Sequence, residues 1–351
     1  MSKSSITDRP PRLSLPRGET PDHLARRLLD GDRRALARAI TYIENRDPRA
    51  RDVLRGIYPS TGKARIIGLT GAPGVGKSTM VAALGRAFRD LNLRVGIVAV
   101  DPTSPFSGGA LLGDRVRMGS GGSDDGLFFR SVATRGQLGG VSRATGSVVH
   151  VLDAAGYDVI LLETVGAGQS EVEIMRFAHT VLVIAVPGLG DEVQAFKAGI
   201  LEIADVFVVN KADRPDADRT AAELDMMIGL APDHQGWRPP VIKTVARDGQ
   251  GIDEVMAAVA RHREFLAGTD LLARRSHELA ERQLVDGAAE RLVATLRLLA
   301  EEGGHWRRAV RDIVERRQDP DSVVESLLQQ PDLLHAVIAR IAAGRDEAGG
   351  A

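Results

Sequence analysis

The chain has 351 residues, of which 43% are hydrophobic and 26% charged, proportions that are ordinary for a globular protein. Its formal net charge of −1 gives no global electrostatic reason to expect nucleic acid or an anionic membrane as a partner. The lack of cysteine excludes disulfides, thiolate metal sites and cysteine nucleophiles. Without a charged-then-apolar leader or a run approaching the roughly 18 apolar residues of a membrane span, we expect a cytoplasmic protein.

The N-terminal sixty residues have the pattern of a tail followed by short helices. Residues 1–19 are rich in Ser, Arg and Pro and are predicted to be disordered. Thr20 and Asp47 each supply a capping oxygen directly before a proline suited to the first helical turn, and Asp32 offers a third helix start. We therefore predict a helical N-terminal segment over residues 20–60.

From residue 61 to about 265, short and continuously apolar segments alternate with segments of helical length. Such runs, rich in Val and Ile, are typical of buried parallel strands. The six predicted strands are ARIIGLTG (64–71), LRVGIVAVD (93–101), GYDVILLET (156–164), HTVLVIAVPG (179–188), ADVFVVNKAD (204–213) and PPVIKTVA (239–246). The alternation predicts an α/β fold with a doubly wound, mainly parallel sheet, whose ligands bind beyond the carboxyl ends of the strands.

Residues 266–345 return to a helical spacing of apolar side chains. A long helix is predicted from about Asp270, and Asp319 and Pro331 mark the starts of two more. Their apolar stripes are too small to form a core alone, so we predict a C-terminal helical region through which two copies dimerise. Packing against the sheet of the same chain is the alternative.

A phosphate-binding motif lies at the end of the first predicted strand. GLTGAPGVGKST (68–79) contains a complete G-x-x-x-x-G-K-[ST] sequence, with a helical pattern following it. Glycine-rich backbone N–H groups and the helix N-terminus bind phosphate in this context, while Lys77 is expected to reach the β- and γ-phosphates and Ser78 to ligate Mg²⁺. The residues predicted to bind nucleotide here are Gly71, Ala72, Pro73, Gly74, Val75, Gly76, Lys77, Ser78 and Thr79.

The NKAD sequence after the fifth predicted strand indicates which base is bound. The Asp213 carboxylate can accept hydrogen bonds from N1–H and the 2-amino group of guanine, whereas facing adenine it would be desolvated without a partner. Asn210 is expected to brace the loop and the Lys211 stem to cover the base plane. A backbone N–H near Val245 and Ala246 is predicted to meet guanine O6. The sequence therefore predicts GTP and GDP as ligands rather than ATP.

Carboxylates near strand ends are candidates for the magnesium site. Asp101 and Glu163 end two predicted strands and are expected to reach Mg²⁺ directly or through water, beside Ser78. Asp114 follows a glycine-containing segment and is predicted to ligate the metal only when the appropriate nucleotide is bound, so that this segment acts as a switch. A local ion pair of Asp114 with a neighbouring arginine is the alternative.

Two further segments are candidates for sensing the nucleotide. Glu163 is followed by a loop in which the Gly166 N–H is predicted to sense the γ-phosphate. Gln169 is a candidate for orienting the attacking water, although a helix-cap role is the simpler interpretation. The glycine-rich segment 187–197 is predicted to be a mobile contact surface, or else an ordinary turn. The candidate catalytic residues are Lys77, Asp114, Glu163 and Gly166.

The order of these motifs resembles that of one family. With the phosphate-binding loop, the chain carries DPTSPFSGGALLGDRVRM (101–118), FFRSVATRGQLGG (128–140), ETVGAGQSE (163–171), PGLGDEVQAFKAGI (187–200) and NKAD (210–213). In this it resembles the methylmalonyl-CoA mutase-associated GTPases of the MeaB, ArgK and MMAA type. The resemblance covers roughly residues 20–345, and its middle motifs are more specific than the phosphate-binding loop.

The resemblance implies a P-loop GTPase of the SIMIBI class that forms homodimers through C-terminal helices. It also implies binding to an adenosylcobalamin-dependent acyl-CoA mutase, GTP-gated cofactor delivery, and protection of the mutase from inactivation. Segment 187–197 matches the loop that transmits the nucleotide state to the mutase. The residues that match the family's nucleotide and metal positions are Lys77, Ser78, Asp101, Asp114 and Glu163.

One segment departs from the family pattern, and several alternatives stay open. GSGGSDDGL (119–127) is more glycine-rich and acidic than the usual linker. A metallochaperone GTPase is disfavoured by the absence of cysteine, and a P-loop kinase by NKAD and the lack of a recognisable acceptor pocket. A non-enzymatic interaction module is the third alternative. The sequence leaves open whether the mutase acts on methylmalonyl-, isobutyryl- or ethylmalonyl-CoA.

Overall fold

Seven parallel strands form one sheet at the centre of the structure, a computed structural model. Their order across the sheet is β3-β2-β4-β1-β5-β6-β7. The strands are β1 (Arg65–Thr70), β2 (Val95–Asp101), β3 (Leu127–Ala133), β4 (Val159–Thr164), β5 (Thr180–Ala185), β6 (Val206–Val209) and β7 (Val241–Lys243). The structure describes residues 19–101, 124–133, 140–164, 172, 175–188, 200–230, 236–302, 304–329 and 331–343.

Helices of the described residues cover both faces of the sheet and continue beyond it. They are α1 (Pro21–Leu29), α2 (Arg33–Glu44), α3 (Arg49–Ile57), α4 (Lys77–Asp90), α5 (Gly140–Ala154), α6 (Ile200–Ile203), α7 (Ala217–Leu230), α8 (Ile252–Ala267), α9 (Leu271–Glu302), α10 (Gly304–Val314), α11 (Pro320–Leu328) and α12 (Pro331–Ala343). None of them is both long enough and apolar enough to cross a membrane.

The sheet has a hydrophobic core on each face, as a doubly wound fold requires. Helices α1–α3, α5 and α7 pack on one face, where Ile160 and Leu162 of β4 contribute to the core. Helices α4 and α8 pack on the other, which receives Leu161 from the same strand. Neighbouring residues of one strand thus point to opposite cores, which explains why the strands are continuously apolar. The predicted α/β class is confirmed.

The first three helices begin where the capping residues predict. The Thr20 hydroxyl accepts from the His23 N–H, and Asp32 accepts from the N–H groups of the first turn of α2. Asp47 accepts from the Arg49 N–H at 2.9 Å. Each cap satisfies backbone donors that the helix itself leaves without a partner.

Strand β3 is missing from the sequence prediction, which has six strands. It lies at the edge of the sheet and pairs with β2 alone. Arg130 interrupts its apolar run, but the guanidinium donates to the Glu44 carboxylate of α2, with Nε 3.0 Å from Oε1. The charge that hides this strand from a hydrophobicity pattern is therefore neutralised by a helix 86 residues away in sequence.

Helices α9–α12, residues 271–343, are named here the C-terminal arm. The three predicted helix starts are confirmed, near Asp270, at Asp319 and at Pro331. The Asp319 carboxylate accepts from the Ser322 N–H. Helix α10 was not predicted. Large apolar side chains stand exposed along the arm: Leu284, Val285, Leu292, Val293, Leu298, Val310, Val314, Val324 and Ile338. Dimerisation through this region stays a prediction.

Asp153 of α5 fixes the entry of the chain into the sheet. Its buried carboxylate accepts from the backbone N–H groups of Gly62, Lys63 and Ala64, just before β1. We expect Asp153→Ala to lower the free energy of unfolding by about 2–3 kcal/mol, because three backbone N–H groups, of which that of Ala64 is buried, lose their acceptor. Urea unfolding measures this, with Asp90→Ala at an exposed position as the control. Equal losses for the two variants would contradict the assignment.

Candidate nucleotide-binding site

The predicted motifs meet at the carboxyl edge of the sheet. Strands β4, β1 and β5 are neighbours, and β6 follows β5. The phosphate-binding loop leaves β1, Glu163 lies near the end of β4, and NKAD follows β6. Because parallel strands end on the same edge, residues far apart in sequence are brought to one face of the domain.

Two glycines of the phosphate-binding loop are required by geometry. Gly71 has φ +140°, and a Cβ there would lie 2.3 Å from the Ile184 carbonyl oxygen. Gly76 has φ +97°, and a Cβ there would lie 2.5 Å from Asn210 Nδ2. Only glycine combines positive φ with such close approach, so the backbone itself forms the cradle.

Lys77 lies inside this loop. Its ammonium donates to the carbonyl oxygens of Gly71 and Ala72, at 2.5 and 3.1 Å, although the side chain is buried. Val75 is fully buried, whereas Pro73, Gly74 and Thr79 are exposed. The loop thus presents its exposed backbone to the solvent side with a cation at its centre, as an anion site requires.

Ser78 and Glu163 are joined directly. The Ser78 hydroxyl, in the first turn of α4, donates to Glu163 Oε1 at 2.6 Å, and the glutamate is buried. Asp101 ends β2, the neighbour of β4, with Val100 and Thr164 in register. Asp114, Gly166 and Gln169 lie outside the described residues, as does 187–197 after Gly188. The structure therefore brings together Ser78 and Glu163 and places Asp101 one strand away.

Asn210 connects three loops through its buried side-chain amide. Nδ2 donates to the Val75 carbonyl oxygen of the phosphate-binding loop at 2.9 Å. Oδ1 accepts from Thr244 Oγ1 at 3.2 Å and from the Ala246 N–H at 3.1 Å, beyond β7. Thr244 was missed by the sequence analysis, which named only the two residues after it. Its only signal in the sequence was a hydroxyl residue near the end of the predicted strand 239–246.

The base-recognition loop, residues 210–213, is anchored to the phosphate-binding loop by Lys211. Lys211 has φ +56°, and its ammonium donates to the Gly74 carbonyl oxygen at 2.6 Å. Asp213, two residues on, is exposed. The arrangement ties this loop to the phosphate-binding loop and leaves the Asp213 side chain at the surface.

The backbone near Val245 and Ala246 is already hydrogen-bonded. The Val245 N–H donates to the Gln250 carbonyl oxygen at 3.1 Å, while the Ala246 N–H binds Asn210. The predicted hydrogen bond from this segment to guanine O6 therefore requires one of these bonds to be shared or exchanged.

Parallel strands that deliver a phosphate-binding loop and an Asn-Lys-x-Asp loop to one edge define the class of P-loop GTPases. The family model described as methylmalonyl Co-A mutase-associated GTPase MeaB matches residues 36–301. The chain belongs to this family and is a GTPase, an enzyme that hydrolyses GTP. The predicted resemblance is thereby confirmed.

Sequence relatives span bacteria, archaea and animals. A Pyrococcus abyssi protein is 46% identical over 316 residues, which are 88% of this chain and 96% of that one. The GTPase ArgK of Escherichia coli is 37% identical, covering 70% and 77% of the two chains. The mouse mitochondrial protein named methylmalonic aciduria type A homolog is 36% identical, covering 72% and 66%.

A solved structure supports the same fold. The crystal structure described as a LAO/AO transport system kinase has a TM-score of 0.68 and 27% sequence identity to this chain, covering 90% of this chain and 99% of that one. The bound ligand class follows from the fold and the family, since P-loop GTPases bind guanine nucleotides.

The contact between Gly76 and Asn210 gives a discriminating prediction. Gly76→Ala and Gly74→Ala both place alanine at positive φ, at +97° and +83°, but only the first brings a Cβ against another residue. We expect Gly76→Ala to weaken GDP binding at least about tenfold more than Gly74→Ala, a difference of about 1.4 kcal/mol. Titration calorimetry with GDP measures both. Equal losses would show that the contact with Asn210 is unimportant.

Proposed function

We propose that this GTPase is a nucleotide-dependent chaperone of an adenosylcobalamin-dependent acyl-CoA mutase, methylmalonyl-CoA mutase being favoured. In this role it gates delivery of the cofactor to the mutase and protects the mutase from inactivation. The observation that carries the proposal is the match to the mutase-associated GTPase family over residues 36–301. The name of the mouse relative, which refers to methylmalonic aciduria, supports the same substrate class.

The proposed nucleotide contacts follow from the positions of the side chains. The backbone between Gly71 and Gly76 would hold the phosphates, and the buried Lys77 ammonium would exchange its carbonyl partners for phosphate oxygens. The exposed Asp213 carboxylate would accept hydrogen bonds from guanine, while Lys211 and Asn210 hold its loop in place. These residues bind and orient the nucleotide without any covalent step.

The donor set at Ser78 and Glu163 fits Mg²⁺. A hydroxyl and a carboxylate already lie 2.6 Å apart beside the phosphate-binding loop, and both are oxygen ligands of the kind that this ion prefers. Ser78, Glu163 and Asp101 would hold it, directly or through water, with Asp114 as a further ligand. When bound, the ion neutralises charge on the phosphate oxygens.

Replacing Glu163 tests this metal site. In Glu163→Gln the side-chain carbonyl oxygen still accepts from Ser78, so the fold is retained, but the negative charge is lost. We expect the affinity for Mg²⁺ with a GTP analogue to fall about 10- to 100-fold. GDP affinity measured in EDTA should be unchanged and serves as the control. Unaltered Mg²⁺ dependence in calorimetry would remove Glu163 from the metal site.

Dimerisation is part of the proposal. The C-terminal arm exposes Leu284, Val285 and Leu292 on one long helix, and Val314 and Ile338 on two shorter ones. Apolar side chains exposed in series along helices are typical of surfaces that a second copy covers. We propose that two arms pair in the homodimer.

The partner proposal is tested with purified proteins. We expect hydrolysis by the chain alone to be slow. We expect an adenosylcobalamin-dependent acyl-CoA mutase from the same organism to raise the rate at least about tenfold. The same mutase should be retained on the immobilised GTPase to different extents with a GTP analogue and with GDP.

Each competing function gives a different result in this assay. A mutase that neither binds nor changes the rate would refute the chaperone role. Transfer of labelled γ-phosphate to an acceptor other than water would indicate a kinase. An unrelated metalloenzyme retained in place of the mutase would indicate a metallochaperone. Binding and stimulation by a mutase that acts on another acyl-CoA would leave the chaperone role in place and change the identity of the mutase.

A further inference from the structure

A buried carboxylate stands at the junction between the sheet and the C-terminal arm. Asp205, directly before β6, is 4% exposed and lies at the edge of the sheet opposite to the nucleotide. Its Oδ2 accepts from the Val181 N–H of β5 at 2.8 Å. A charge buried this deeply is expensive to desolvate, so its partners decide whether it is tolerated.

One cationic partner of Asp205 comes from the arm. Arg275, in the second turn of α9, donates to Asp205 Oδ1 at 3.1 Å and also to the His179 carbonyl oxygen at 3.3 Å. Through Arg275, the first part of the arm makes a charged contact with the sheet. Its own side chain is 44% exposed, so the arm side of the contact faces solvent.

The other partner comes from α8. His262 is fully buried, and its Nε2 lies 3.2 Å from Asp205 Oδ1, at ion-pair distance but outside hydrogen-bond alignment. Its Nδ1 is 2.9 Å from Thr180 Oγ1. The Trp237 indole donates to the Asp205 carbonyl oxygen at 2.9 Å and packs on the imidazole. The sheet side of the junction is therefore rigidly held.

The balance of these contacts favours the ionised carboxylate. Burial alone would raise the pKa of Asp205, but the His262 ring and the Arg275 guanidinium outweigh it, and the pKa lies below its usual range. Asp205 is therefore ionised at neutral pH, and Arg275 is the partner whose side chain reaches solvent.

A cavity of about 170 Å³ lies beside the ion pair. Its walls come from α6, from the chain just before β5, and from the first turns of α9, including Ile203, Met175 and Leu279. Packed helices shift between discrete arrangements only where space allows them to repack. The cavity supplies such space next to α9, the first helix of the arm.

We propose that the ion pair between Asp205 and Arg275 is a latch that holds the C-terminal arm in one orientation on the sheet. Because the cavity leaves room for other packings of α9, loss of the ion pair should leave the orientation of the arm less defined. The latch rests on the contacts of the junction and on the cavity beside them.

The absence of cysteine allows a direct measurement. Spin labels on Asp90→Cys of α4 and Glu325→Cys of α11, both exposed, report the distance between the sheet domain and the arm by pulsed electron resonance. Labelled protein is diluted with an excess of unlabelled chain, so that distances between subunits do not contribute. Arg275→Gln is compared with the parent and with Arg274→Gln, the exposed neighbour, all with GDP bound.

The latch predicts a narrow distance distribution in the parent and in Arg274→Gln. Arg275→Gln should broaden the distribution, while GDP affinity stays unchanged and reports that the variant is folded. An unbroadened Arg275→Gln, or an equally broadened Arg274→Gln, overturns the latch. Since no mutase is present, neither result bears on the partner proposal.

Discussion

The buried side-chain amide of Asn210 is the interaction on which the rest of the site depends. It holds the phosphate-binding loop through Val75 and the loop beyond β7 through Thr244 and Ala246, while its own backbone begins the base-recognition loop. Three loops from three strands are therefore fixed relative to one another by three buried hydrogen bonds. A polar network of this kind specifies one arrangement because any partial loss leaves buried groups without partners.

Much of the fold and the site could be predicted because the signals are local. Continuous apolar runs identify β1, β2 and β4–β7; β4, β5 and β6 are buried on both faces, whereas β7, at the edge of the sheet, is only half-buried. The phosphate-binding loop and NKAD are short segments whose residue types follow from the chemistry of phosphate and guanine. The contact between Ser78 and Glu163 follows from parallel topology, which brings both to one edge.

What could not be predicted depends on contacts between distant segments. Strand β3 is hidden by Arg130, whose charge is compensated only in three dimensions by Glu44. The junction of Asp205 with Arg275 unites residues 70 positions apart, and nothing in the local pattern of either marks it. Such pairs become visible only when the sheet order is known, because a charge next to an apolar run otherwise indicates a solvated surface.

We propose that Lys77, Ser78, Asp101 and Asp213 converge around one guanine nucleotide and its magnesium. Titration calorimetry of the intact protein in Mg²⁺ tests this most directly. We expect GDP and a non-hydrolysable GTP analogue to bind, and the adenine counterparts to bind about 10⁴-fold more weakly, because the Asp213 carboxylate would then be left without a partner. No heat with either guanine nucleotide, or equal affinity for the adenine nucleotides, would contradict it.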